Sequence, residues 1–385
     1  MRKATAVVLG LLLAVVAATL AQAEPIRAQQ WHLDAMKADD LWRLSTGKGV
    51  TVAVIDTGIG RIPELEGQVL PGKDFAPDNV DGDERSDYDN HGTAMAALIA
   101  GSGRKSSGDG SFGLAPDAQI LPLRVPHEVS PVTPSWVTAI RYAADSKAKI
   151  INLSLGLSSE PKEDHDRFEA VKYALSKGKL IFAAVGNDGD AGNRVSYPAT
   201  TPGVVGVGAV DASGVATKES VHGPQVDMAA PGIDIVTACA GKTGLCKSHG
   251  TSDATALASA SAALLWSAHP DWTNNQVLRV LLNTAGKPVD GVARNDYVGY
   301  GIVRPRVALP TPGDPGPADV YPLPDLAAAE AEAKSPPPSL DTTTPRPVAQ
   351  EGDGSTLPWL ALGIGACLLI GGAVAVAALV RRASR

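Results

Sequence analysis

Five short apolar runs punctuate the chain, at Val50 to Ile55, Ile120 to Val125, Ile150 to Leu155, Leu180 to Val185 and Val204 to Val210. Each is too apolar to have a wet face, so each is expected to be a strand covered on both sides. Helix-like stretches lie between them, at Gly92 to Ala100, Trp136 to Ala144 and Arg167 to Ser176. Strands alternating with helices predict an α/β fold whose parallel sheet is covered on both faces. In such sheets, functional groups gather beyond the carboxyl ends of the strands.

Polar residues stand at those ends. The first run closes on Ile55-Asp56-Thr57-Gly58 and the fourth on Ala184-Val185-Gly186-Asn187-Asp188. His91 opens a helix in Asn90-His91-Gly92-Thr93, and Ser252 opens another in His249-Gly250-Thr251-Ser252-Asp253. This last helix runs to about Ser267 with Ala, Ser and Leu on nearly every face, which predicts burial in the core.

The two termini carry another pattern. Arg2 and Lys3 precede an apolar run from Ala6 to Leu20, and Ala21-Gln22-Ala23 has the form of a cleavage site, so 1–23 reads as a secretory signal. Trp359 to Val380 holds 22 residues without a charge. As a helix it is about 33 Å long, against a bilayer core of about 30 Å. Arg381, Arg382 and Arg385 follow, which places the tail in the cytoplasm and everything before Trp359 outside. Twelve of the 29 prolines fall between Pro310 and Pro358, so this stretch reads as an extended, disordered tether. The expected organisation is a signal peptide at 1–23, a globular body with an N-terminal extension at 24–309 and a Pro-rich stalk at 310–358. A transmembrane helix at 359–380 and a basic tail at 381–385 complete a single-pass type I protein of the cell membrane.

Composition narrows the possibilities. The chain has 34 basic and 41 acidic residues and a net charge of −7, and the outer portion is more acidic than the whole. A nucleic-acid partner calls for a basic face and is not expected. Three cysteines are too few for a disulfide-built scaffold or a Cys-rich zinc module.

A serine hydroxyl becomes a useful nucleophile when a base takes its proton, and an imidazole oriented by a carboxylate suits that role. In Asp56, His91 and Ser252 all three groups sit at element ends beside glycines, which let a substrate backbone approach. Taken singly, each is an ordinary turn or cap residue. Together, Val54-Ile55-Asp56-Thr57-Gly58, His91-Gly92-Thr93 and Gly250-Thr251-Ser252 resemble, in order, the three signatures of the subtilisin-like serine proteases. Ile151-Asn152-Leu153-Ser154-Leu155-Gly156 and Ala183-Ala184-Val185-Gly186-Asn187 resemble two further blocks of that family.

The resemblance implies a three-layer α/β sandwich with a central, mostly parallel seven-stranded sheet, and serine endopeptidase activity with neither cofactor nor metal. By the same resemblance Asp56 orients His91, His91 is general base and then acid, and Ser252 attacks the scissile carbonyl. Asn187 is implied as an oxyanion donor beside the backbone N–H of Ser252. Ser154, Leu155 and Gly156 are implied as the edge that receives substrate as an added strand. Trp31-His32-Leu33, the segment from Leu41 to Gly49, the stalk and the anchor are similar to the mycosins, membrane-anchored subtilases that accompany type VII secretion systems. That similarity implies a secretion membrane complex as a partner, beside a protein or peptide substrate. Only about 25 residues separate the expected cleavage point from the first strand, too few for a folded inhibitory pro-domain.

Several positions depart from the family pattern or admit two readings. Asp253 stands where a bulky apolar residue is usual, and Ala254-Thr255-Ala256-Leu257 lacks the usual proline. An acid in the first helical turn suits the macrodipole. Beside an oxyanion, however, it is expected to raise the His91 pKa and to slow the enzyme or narrow it to bonds next to basic residues. Asn90 replaces a glycine, and Ala94-Met95 replaces a usual histidine and valine. His249 reads as a surface residue rather than a rival base. Asp78, Asp81, Asp83, Glu84, Asp87 and Asp89 form either a solvated acidic run or a calcium site. Outside the cell Cys239 and Cys246 are expected to form a disulfide, two free thiols being the alternative; Cys367 falls within the anchor. The competing function is a structural subunit of a secretion complex with little activity, for which Asp253 speaks; an adhesin has only the stalk in its favour.

Overall fold

The runs of Val, Ile and Leu become the strands of one sheet. In the computed structural model, β1 (Thr51–Asp56), β2 (Lys73–Asp74), β3 (Gln119–Arg124), β4 (Ile150–Leu153), β5 (Leu180–Ala184), β6 (Val205–Val210) and β7 (Met228–Pro231) pair in the order β2-β3-β1-β4-β5-β6-β7. Every pairing in this sheet is parallel. The chain leaves β1 for one edge, returns through β3 and crosses to β4 on the far side of β1, so the strand order turns beside β1. A crevice beyond the carboxyl ends is expected at such a turn. The structure describes residues 24–76, 81–105, 108–126, 133–156, 164–241 and 243–334. The signal segment, the anchor, Cys367 and Asp78 lie outside them. Among the described residues no helix is long and apolar enough to cross a membrane.

Successive side chains of each strand divide between two cores, which is what the pleat requires. Val52, Val54, Leu180 and Phe182 pack with α1 (His91–Ala100) and α4 (Thr251–Ala268), whereas Ala53, Ile55, Ile181 and Ala183 pack with α2 (Thr133–Asp145) and α3 (Asp164–Ser176). The three layers are those implied by the resemblance. Helix α4 is buried from Ala254 to Trp266, and its run of Ala and Ser lets it lie close on the sheet. The segment before β1 joins the same core through Leu33, Met36, Ala38 and Leu41, and the Trp31 indole donates to the Ile233 carbonyl at 3.0 Å.

A hairpin of β8 (Ile235–Ala238) and β9 (Leu245–Ser248) leads into α4, and Cys239 is joined to Cys246 across its end with Cα atoms 5.8 Å apart. Closing so short a loop removes about 2 kcal/mol of chain entropy from the unfolded state. The double variant Cys239→Ser, Cys246→Ser is therefore expected to lose about 2 kcal/mol in denaturant unfolding. An unchanged midpoint would mean that the ladder alone holds the hairpin.

The tether expected from Pro310 does not begin there. Residues 310–334 lie against the body and end in α6 (Pro324–Lys334), close to α5 (Asn274–Thr284) in its first part. Proline lacks an N–H but keeps its carbonyl, so an extended Pro-rich chain offers a row of acceptors. Arg279 donates to the carbonyls of Pro315 at 2.8 Å and Pro317 at 2.9 Å, and Gln276 donates to that of Gly316 at 3.0 Å. Tyr321 donates to the Gly203 carbonyl at 2.9 Å, while Asp325 accepts the Gly203 N–H at 2.7 Å.

Candidate active site

Asp56 is the last residue of β1 and is fully buried. Its Oδ1 accepts the Thr57 N–H at 2.8 Å and lies 2.7 Å from His91 Nδ1. A carboxylate only accepts, so the shared hydrogen belongs to Nδ1, and a neutral imidazole then keeps its lone pair on Nε2. Between β1 and α1 only glycine fits at position 92, because a Cβ there would come within 2.2 Å of the Gly58 carbonyl oxygen.

The start of α1 is held by the acidic loop. Asn90, in the left-handed region at φ 71°, ends the turn. Asp87 accepts the N–H groups of Asn90 at 3.0 Å and Thr93 at 2.7 Å, and Asp89 accepts the His91 N–H at 2.8 Å. Asp83 binds its own turn through the Ser86 hydroxyl at 2.8 Å and the Arg85 N–H at 3.0 Å. These carboxylates thus satisfy the free N–H groups of a helix and a turn. Among the described residues no group of three His, Cys, Asp or Glu is placed to hold a metal ion.

Ser252 is the second residue of α4, entered through Gly250 at φ 134°, a conformation suited to glycine. Its hydroxyl donates to the Ser154 carbonyl at 2.7 Å, and the Ser154 hydroxyl donates back to the Ser252 carbonyl at 3.0 Å. Beneath this clasp, Asn152 donates to the Ser154 hydroxyl and Ser259 donates to Asn152, each at 3.0 Å. The first N–H groups of a helix have no partner within it, so the Ser252 N–H faces out at the positive end of α4.

Asn187 follows β5. Its Oδ1 accepts the Thr251 N–H at 2.9 Å, which fixes the carboxamide and leaves the NH₂ as its outward donor. A cavity of about 360 Å³ is lined by His91, Ser154, Leu155, Gly156, Asn187, Ser252 and Asp253. All the residues singled out from the sequence for triad, oxyanion and substrate edge therefore meet at one opening, except Asp56, which reaches it through His91. His249 lines the same cavity but is largely exposed, with its Nε2 3.9 Å from Glu219.

Charge is concentrated here. Burial by itself would lower the His91 pKa, but the charge and hydrogen bond of Asp56, with Asp89 and Asp253 adding to them, lift it to about 9. Asp253 is buried and accepts the Ser248 hydroxyl at 2.7 Å. Burial lifts its pKa to about 6, against the lowering by that hydroxyl and by His91 and His249.

Sequence reasoning missed Arg124. It pairs in register with Asp56 on the neighbouring strand, yet its guanidinium is buried. It donates to Asp74 at 2.7 Å and to the Asp81 carbonyl at 3.0 Å, and it lies 5.4 Å from the Tyr88 ring centre. The charge within an otherwise apolar run was the available signal.

The parallel sheet flanked by helices, with a carboxylate, an imidazole and a serine near one cavity, defines the class of protein to compare with. The Peptidase S8 model, the subtilase family, matches residues 47–301. The chain belongs to the subtilase family of serine endopeptidases. Mycosin-1 of Mycobacterium tuberculosis is 34% identical over 342 residues, covering 75% of this chain and 74% of that protein. The crystal structure of MycP1 from the ESX-1 type VII secretion system superimposes with a TM-score of 0.65 at 30% identity, covering 75% of this chain and 88% of that one. A chain in the periplasmic assembly of the ESX-5 inner membrane complex does so with a TM-score of 0.64 at 27% identity, covering 76% and 87%. Within its family, this protease is of the mycosin type.

Proposed function

We propose that this chain is a membrane-anchored, extracellular endopeptidase that cleaves peptide bonds through Asp56, His91 and Ser252 and works beside a type VII secretion complex. The observation that carries the catalytic part is the 2.7 Å Asp56–His91 contact at the cavity that also holds Ser252 and Asn187. Substrate backbone lies along Ser154, Leu155 and Gly156. His91 Nε2 takes the Ser252 proton while Oγ attacks the carbonyl carbon. The hydroxyl carries a single hydrogen, so its bond to the Ser154 carbonyl is released in this step. The oxyanion receives hydrogen bonds from the Ser252 N–H and the Asn187 NH₂, and one such side-chain donor is worth roughly 3–4 kcal/mol in the transition state. The imidazolium, held by Asp56, then protonates the departing amine, and water repeats the sequence on the acyl-enzyme.

The membrane and secretion parts rest on the charge-free stretch from Trp359 to Val380 with its arginine flank, and on the likeness to MycP1 and to the ESX-5 assembly. The test of the chemistry is labelling of the full chain by a fluorophosphonate. Wild type is expected to label, and Ser252→Ala and His91→Ala are expected not to. A folded wild type that stays unlabelled would instead favour a scaffold that keeps the fold, the reading that the buried acid at Asp253 supports.

A further inference from the structure

The wall of the catalytic cavity contains a carboxyl group for which the reaction has no use. Asp253 directly follows Ser252, is 1% exposed, and is held by the Ser248 hydroxyl at 2.7 Å. Its place in the first turn of α4 explains its tolerance, since an acid there meets the positive end of the helix. That same place brings a negative charge to the region where the oxyanion forms and where His91 must lose a proton.

We infer that Asp253 is a positioning residue of the protease reaction, a carboxylate that retains the proton on His91 and so restrains the general base near neutral pH. The inference rests on the triad reading proposed above. Three carboxylates stand around His91: Asp56 at the end of β1, 2.7 Å from Nδ1; Asp89 in the loop before α1, which accepts the His91 N–H at 2.8 Å; and Asp253 on α4, which lines the same cavity as the imidazole. Asp188, beyond β5, lines the cavity but is paired with Arg194 at 2.8 Å, and His249, before α4, faces Glu219. Between about pH 6 and pH 9 the resting site therefore holds an imidazolium and an ionised Asp253 together. An imidazolium cannot accept the Ser252 proton. Above that range His91 is neutral and competent. Below it Asp253 is neutral but His91 remains charged by Asp56, so acidification does not release the restraint.

Asp253→Asn tests this directly, because asparagine still accepts the Ser248 hydroxyl and keeps the volume. The His91 ring is followed by NMR in the full chain on a Ser252→Ala background, where the reading does not depend on turnover. Loss of one nearby charge is expected to move the imidazole titration down by about one pH unit. With Ser252 restored, fluorophosphonate labelling at pH 7 is expected to quicken about tenfold, with the acid limb displaced by the same amount. An imidazole titration that stays in place or moves up overturns the inference, whatever the labelling does. Failure of the wild type to label at any pH would count against the triad reading alone, since the ring titration reports separately.

Discussion

Asp56→Ala is expected to lower the rate of fluorophosphonate labelling and of peptide hydrolysis at neutral pH by about 10⁴-fold, the scale seen when the carboxylate of a serine-protease triad is removed. The variant removes three things at once. Nδ1 loses the acceptor that fixes the tautomer, the ring loses its 2.7 Å tether to β1, and the imidazolium loses its counter-charge. It also changes the pH profile in a defined sense. In the wild type the base is competent only when neutral, so the rate rises with pH toward a limb near 9, and each unit below that costs about tenfold. Asp56 is the largest influence raising that limb, against burial acting the other way. In Asp56→Ala the residual activity should therefore titrate at lower pH than the wild type while being far smaller in size. A loss of less than tenfold would remove Asp56 from the triad.

The candidate site is legible in the sequence as a set of positions because its parts announce themselves locally. Asp56 and Asn187 end apolar runs, His91 and Ser252 begin helices, and glycines stand beside them, so strand and helix ends could be placed without knowing the fold. What was not readable is what those residues lean on. The clasp between Ser154 and Ser252, and the Asn152 and Ser259 bonds beneath it, join positions up to 107 residues apart, and no local pattern marks such pairings. The acidic loop is legible in part. Asp81, Asp83 and Asp89 are exposed, as a solvated run requires, but Asp87 and Asp89 also serve the backbone of α1, which depends on turn geometry rather than on charge count. In the stretch from Pro310 composition points to a tether, yet the carbonyls of Pro315 and Pro317 meet Arg279. Strand β7 has no signal of its own because Met228-Ala229-Ala230-Pro231 lacks branched side chains; its place comes from pairing with β6 and from a bridge between Ala229 and Ile302 on its other side. Short elements of this kind take their structure from neighbours.

Arg124→Leu is expected to cost about 3–5 kcal/mol of unfolding free energy, the range for breaking a buried ion pair from one side. Arg124 is the largest fully buried side chain of the sheet, and its guanidinium meets three groups: Asp74 on the edge strand β2, the Asp81 carbonyl in the acidic loop, and the face of Tyr88 shortly before His91. Leucine fills part of the space but leaves the Asp74 carboxylate without its cation and the loop carbonyl without its donor. The damage should therefore reach catalysis as well as stability, because the same loop sets the start of α1. Arg124→Lys should recover only part, as an ammonium cannot serve two acceptors with the fixed fork of a guanidinium. The exposed pair of Arg194 with Asp188 has almost the same length, 2.8 Å, but its arginine side chain is 67% exposed. Arg194→Ala is accordingly expected to cost under about 1 kcal/mol. Denaturant unfolding of the two variants side by side measures the difference that burial makes. If Arg124→Leu proved as mild as Arg194→Ala and labelled normally, the buried guanidinium would be a tolerated passenger and not the support of the histidine loop.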